Sequence, residues 1–235
     1  MEYNTKPIKI SNRNIMFSDT TIWSEYALNM GLILGVRHNF VIDTGLGSGS
    51  VAPILEYLKN DAKPIVVINT HADWDHIWGN HVFENGLIIA HRVCLDVLTK
   101  HWAAAYERNK DKVDGEVRKC LPNTVFDSEL EFAEDGVKIF YTPGHTPCSI
   151  SVFDVVDRVL YVGDNFGDTM DTVLPEIHTN PQTMMDTVQT YKSLDAEVFV
   201  CGHNKPQGVE FLQKMESELV ELVKKHRSAK EHWAG

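Results

Sequence analysis

Short apolar runs alternate with longer amphipathic stretches along this chain. Within the first forty-three residues IKI, NIMF, GLILGVR and NFVID read as β-strands, and DTGLGSGS follows as a turn with Ser and Gly caps. Val51, Ile54, Leu55 and Leu58 then fall at helical spacing. PIVVIN is a β-branched run suited to a buried strand ending at Asn69, and LIIAH is another short strand. From Arg92 the period changes. Val93, Cys94, Val97, Leu98, Trp102 and Ala105 share a helical face before the charged stretch ERNKDKVDGE. One long and one short helix are expected here, a helical insertion at about 92–120 between two halves of the chain. After Pro122 strands return in LEFA, VKIFY, SISVFD and RVLYVG, followed by a looser segment to Asn180. A helix from near Pro181, the strand EVFVCG and a closing helix complete the pattern. The last helix carries Val209, Leu212, Met215, Leu219, Leu222 and Val223 on one face. Two similar blocks of alternating strands and helices predict a single α/β domain over residues 1–235, layered, with mixed sheets.

Four of the apolar runs end in a His or an Asp. PIVVIN leads into THADWDHIWGN, which holds His71, Asp73, Asp75 and His76; VKIFYTPG precedes His145, RVLYVG precedes Asp164, and EVFVCG precedes His203. Any one of these alone would be an ordinary cap or turn residue. As a set they are a costly choice for a structural turn, because crowded carboxylates and imidazoles repel or stay unsatisfied. Strand ends can converge at one edge of a sandwich, and seven N/O donors meeting there suit two divalent metal ions.

Composition narrows the partners. The 235 residues are 43% hydrophobic and 23% charged, ordinary for a globular protein with a sizeable core. The net charge of −11 disfavours nucleic acid and an anionic membrane surface as general partners. The opening MEYNTKPIKISN lacks the apolar core of a signal peptide, and the stretch around ALNMGLILGV is too short to span a bilayer, so a cytoplasmic location is expected. Cys94, Cys120, Cys148 and Cys201 form no close pair in sequence and read as buried free thiols of a reducing compartment.

THADWDH, TPGHTPCS, VGD and CGH, in that order, together with VIDTG at 41–45, resemble the metallo-β-lactamase-fold hydrolases across almost the whole chain. The resemblance implies an αββα four-layer sandwich with a dinuclear metal site along one edge of its sheets. Carried over position by position, it assigns His71, Asp73 and His145 to a first metal, Asp75, His76 and His203 to a second, and Asp164 to the bridge. The family motif is H-x-H-x-D-H, and this chain departs from it at Asp73, where His is usual. The three carboxylates and a bridging hydroxide would neutralise two divalent ions. Asp73 therefore makes the first metal a weaker Lewis acid and a better site for a harder ion, so iron and manganese join zinc as expected cofactors.

Branches of the family differ in their additions. Lactone-cleaving members often carry a tyrosine three residues after the bridging Asp, and Gly167 stands there. Glutathione thioesterases add a C-terminal helical domain, where this chain has one helix after His203. The resemblance implies a metal-dependent hydrolase of a small-molecule ester, thioester, lactone or phosphodiester, with Asp75, or a metal-bound water, moving a proton to the leaving group. Asp73 motivates an alternative, a non-haem diiron oxidoreductase; a metal-binding protein without catalysis is a third reading. His178 and Asp168 lie close after Asp164 in sequence, and His178 is the expected substrate contact. Trp102 is expected on the buried face of its helix, with Trp74 and Trp78 packed beneath or beside the metal loop.

Overall fold

The apolar runs form two sheets in the computed structural model, which describes residues 5–20, 23, 26–169 and 171–233. The first sheet comprises β1 (Lys6–Lys9), β2 (Asn14–Asp19), β3 (Leu28–Leu34), β4 (Asn39–Ile42), β5 (Ile65–Ile68), β6 (Leu87–His91) and β7 (Thr124–Phe126), in that spatial order. Its first three neighbour pairs are antiparallel and its last three parallel. The second sheet runs β12 (Val198–Cys201), β11 (Val159–Gly163), β10 (Ile150–Asp154), β9 (Val137–Tyr141) and β8 (Glu129–Phe132). Here only β11 and β12 are parallel. Both sheets are mixed, as expected.

Strand alternation sends Ile33, Phe40, Ile42, Val66 and Ile68 of the first sheet toward Val137, Ile139, Val152, Tyr161 and Val200 of the second, and this is the inner core. The outer faces are covered by helices. Val51, Ile54 and Leu58 of α1 (Ser48–Leu58) pack on the first sheet through Phe17, Leu32, Val41 and Val67. Helices α4 (Pro181–Ser193) and α5 (Val209–Trp233) cover the second through Met184, Val188, Tyr191, Leu212, Met215 and Leu219. The layers are therefore helix, sheet, sheet, helix: the αββα sandwich. Helix starts follow local chemistry. The Asn180 side chain accepts from the Thr183 N–H at 3.0 Å with Pro181 in the first turn, and His91 caps α3 (Arg92–Asn109) by accepting from the Val93 N–H at 3.2 Å.

Three details differ from the pattern. The run GLILGVR gives a strand three residues earlier, because Gly35, exposed Val36 and Arg37 turn, with the Arg37 N–H donating to Asp135 at 2.6 Å. The long helix stops at Asn109, and Lys110–Lys112 is one 3₁₀ turn. The charged stretch beyond it offers no apolar stripe to bury. Within the metal-loop sequence, Trp74–Ile77 forms a short helix, α2, and Asn80–Phe83 a 3₁₀ turn.

The two sheets are stitched together at one edge. The Ile150 N–H donates to the Thr70 carbonyl at 2.9 Å, and the Asn29 N–H to the Gly202 carbonyl at 2.7 Å. On that edge the carboxyl ends of β5, β11 and β12 meet. A register shift between Tyr161 and Gly163 pairs Gly163 with Cys201 and brings the residues after both strands side by side.

Candidate metal centre

His71, Asp73, Asp75 and His76 leave β5 and run into α2, with Asp73 at the N-cap of that helix. His145 lies between β9 and β10, Asp164 directly after β11, and His203 two residues after β12. The fold brings all seven to one place. Asp73 Oδ2 is 3.5 Å from His71 Nε2 and 3.2 Å from His145 Nε2. Asp75 Oδ2 is 3.7 Å from His76 Nε2 and 3.4 Å from His203 Nε2. Asp164 Oδ2 sits between the two sets, 3.5 Å from His71, 3.3 Å from His76 and 3.1 Å from His203, each at Nε2. Three groups of donors, each mutually within 4.8 Å, could hold a metal ion: His71, Asp73 and His145; Asp75, His76 and His203; and His71, His76 and Asp164.

Each imidazole is oriented through its other nitrogen. His203 Nδ1 meets the Ala27 carbonyl at 2.9 Å, and His145 Nδ1 meets the Glu176 carbonyl at 2.7 Å. His76 Nδ1 meets Asp43 Oδ2 at 2.8 Å, and His71 Nδ1 meets Thr70 Oγ1 at 2.9 Å. Carbonyls and carboxylates only accept, and the Thr70 hydroxyl itself donates to Asp43 Oδ2 at 2.7 Å. These partners assign the proton to Nδ1 in all four rings and leave Nε2 as a lone pair facing carboxylate oxygens. Acceptor against acceptor at such distances requires a proton or a cation between them. His71 Nε2, His76 Nε2 and Asp164 Oδ1 are buried without any hydrogen-bond partner, so the donor set fits divalent metal ions.

Electrostatics express the same compensation. Burial and the neighbouring His76 pull the His71 imidazole down, yet Asp164 and Asp73 outweigh them and raise it to about 10. Burial disfavours charged Asp164 and Asp73, but the imidazoles around them hold both below the usual carboxylate range. Asp168, in the loop after Asp164, is pushed up by burial, with Asp164 and Asp75 adding to it against His203.

Sequence reasoning missed Asp43, read only as part of a family turn. Its Oδ1 accepts from the Thr70 N–H at 2.7 Å, and its Oδ2 serves both the Thr70 hydroxyl and His76. It stands at φ 61°, a left-handed conformation that Asp tolerates better than most residues. An acidic residue closing a buried strand before Thr-Gly was the available signal. Gly202 was missed as well: a Cβ there would lie 2.1 Å from Asp164 Oδ1 and 2.7 Å from His76 Cε1.

The rim is aromatic on one side. Trp23 and Tyr26, from the segment before β3, place their rings 5.5 and 5.3 Å from that of His203. Trp74 is half-buried while Trp78 is fully buried, their rings 5.0 Å apart. Trp102 stacks on Tyr106 at 5.4 Å in the cluster beneath α3. On the other side, the His178 N–H donates to the His145 carbonyl at 2.8 Å, and the two rings lie 5.3 Å apart. Gly167 has no room for a side chain, since a Cβ would approach the Thr172 carbonyl oxygen to 1.8 Å. Cys94, Cys148 and Cys201 are buried free thiols and Cys120 is half-buried. Among the described residues no helix is long and apolar enough to cross a membrane.

An αββα sandwich with His and Asp donors gathered at strand ends defines a class of metal-dependent proteins. The metallo-beta-lactamase superfamily model matches residues 25–203, and the chain belongs to that superfamily. It is 26% identical over 200 residues to a beta-lactamase-like protein 2 homolog of Caenorhabditis elegans, covering 79% of this chain and 62% of that one. It is 25% identical over 164 residues to the acyl-coenzyme A thioesterase MBLAC2 of Homo sapiens, covering 58% and 57% respectively. The chain thus spans less than two thirds of these relatives. Among solved structures, TMB-1 superposes with a TM-score of 0.74 at 15% identity, covering 96% of this chain and 100% of that one, a likeness of fold.

Proposed function

We propose that this protein is a hydrolase that holds two divalent metal ions and cleaves a small-molecule ester or thioester. The observation that carries the reading is the meeting of four imidazole Nε2 atoms with three carboxylates at one sheet edge. His71, Asp73 and His145 would hold one ion, Asp75, His76 and His203 the other, with Asp164 between them. When bound, the pair supplies Lewis acidity that makes water nucleophilic near neutral pH and polarises the acyl oxygen.

The chain's own residues do the rest. The four Nδ1 contacts hold the rings in one tautomer, so no donor side chain must reorient. Asp73 is 44% exposed while His71 and His76 are sealed, which favours a substrate approach from the Asp73 side. Asp75 is the proton carrier to the leaving group, since one carboxylate oxygen remains beyond the one facing His203 and His76. His178, half exposed beside His145, is placed to touch a substrate oxygen. The thioesterase named among the relatives favours acyl transfer to water. Lactones and phosphodiesters are open to the same chemistry, although the closed position at Gly167 leaves no tyrosine to assist lactone opening.

Asp73 motivates a second reading. Its carboxylate lies at donor distance from both His71 and His145, and such a ligand favours harder ions, so iron and oxidoreductase chemistry is the alternative. Metal analysis of protein purified without oxygen, with optical spectra and an ester and thioester panel, separates the readings. Colourless protein with zinc or manganese and turnover supports hydrolysis. Iron with visible absorption and no hydrolysis supports the alternative, and tight metal without any turnover leaves a binding protein.

A further inference from the structure

We propose that Lys112 and the ring of Trp74 form a subsite for a negatively charged group on the substrate, so that the natural substrate is an anionic acyl compound. The proposal deepens the hydrolytic reading and rests on it for the reacting group. Trp74 follows Asp73 at the start of α2, and its ring connects to the donor cluster through Trp23. The ring meets Trp23 edge-on at 6.3 Å, and Trp23 reaches His203 at 5.5 Å. A half-buried aromatic wall therefore runs from the donor cluster outward. At its outer end Lys112 Nζ lies 5.1 Å over the Trp74 ring.

The charge of Lys112 is available. Arg92, Lys110 and Arg118 in the same segment are each tied to a carboxylate, at 2.7, 2.8 and 3.1 Å. Among the described residues no carboxylate pairs with Lys112; an aromatic face holds it instead. A ring engages one face of an ammonium and leaves N–H donors free for a second partner. The setting gives this cation a purpose. A chain of net charge −11 repels anions at long range, so an anionic substrate needs a local cation at the mouth. An apolar segment lying along Trp23 and Trp74 would join a reacting group at the donor cluster to an anion at Lys112. The chemistry required of the anion is shared by carboxylates and phosphates.

Binding tests this apart from turnover. Metal-loaded protein is titrated calorimetrically with dicarboxylates from succinate to suberate and with monocarboxylates of matching length. At least one dicarboxylate should bind more tightly than its partner. Lys112→Met should reduce that advantage about fivefold and Lys112→Glu should reverse it, the size of an exposed ion pair. The same ratios are then read as kcat/KM on mono-4-nitrophenyl adipate and 4-nitrophenyl hexanoate. Equal ratios in wild type and both variants, in binding and in turnover, overturn the subsite. If no ester is hydrolysed but Lys112→Met still erases the dicarboxylate advantage, the hydrolytic reading falls and the subsite stands. Preferential binding of matching alkyl phosphates over dicarboxylates, lost in Lys112→Met, would identify the anion as phosphate.

Discussion

Asp43→Asn is the sharpest probe of how the centre is built. Asn keeps the size of the side chain and tolerates the φ of 61°. It replaces one carboxylate oxygen by an N–H₂ donor. If that donor takes the Oδ1 place it faces the Thr70 N–H, which cannot turn away; if it takes the Oδ2 place it faces His76 Nδ1–H. Either arrangement sets donor against donor, and loss of one charge-assisted hydrogen bond costs about 1.5–3 kcal/mol. The same energy separates the metal-binding tautomer of His76 from the alternative, which puts a proton on Nε2. On the proposed two-metal reading, affinity should fall about ten- to hundredfold for an ion at Asp75, His76 and His203, and much less for one at His71, Asp73 and His145. Competition against a chromophoric chelator measures both steps, and circular dichroism checks the fold. A folded variant with both affinities within about twofold of wild type would refute the role given to Asp43.

Three further outcomes are expected. Asp73→His adds one unit of charge at the first donor group and should move metal preference from iron or manganese toward zinc, read by elemental analysis of both proteins loaded from an equimolar mixture. In chelator-treated protein the folded-state value of His71, raised to about 10, means that its bound proton contributes stability fully below the ordinary imidazole range near 6.5. That contribution is lost as pH rises toward 10, so Tm of the chelated protein should fall over this window while metal-loaded protein, which needs no such proton, does not follow. Asp154→Ala leaves the partly buried Arg13 without the carboxylate at 3.1 Å and buried Asn14 without its 2.6 Å acceptor, and should cost about 3 kcal/mol in chemical denaturation without changing metal content.

The donors could be read from the chain because strand ends and ligand-type residues coincide in the sequence itself, as PIVVIN before His71 and EVFVCG before His203 do. The helical covers were equally plain, since α1 and α5 keep their apolar stripes over several turns. What sequence concealed depends on contacts between distant segments. Asp43 matters through Thr70 and His76, Gly202 through the space beside Asp164, and the rim through Trp23 and Tyr26 lying against His203. None of these has a local period or motif. The early stop of α3 was half visible: the apolar face fades after Tyr106, but only the chain shows where the charged stretch leaves the helix.

The strands divide between the sheets without interleaving: every strand of the first sheet precedes Asp127 and every strand of the second follows it. Both triads, however, draw on both sheets, with His71, Asp73, Asp75 and His76 from one and His145 and His203 from the other. A chain cut between Asp127 and Ser128 would yield two pieces, each with a complete sheet and neither with a complete set of donors. Neither fragment alone could complete either donor group, so the full metal site exists only where the two halves meet.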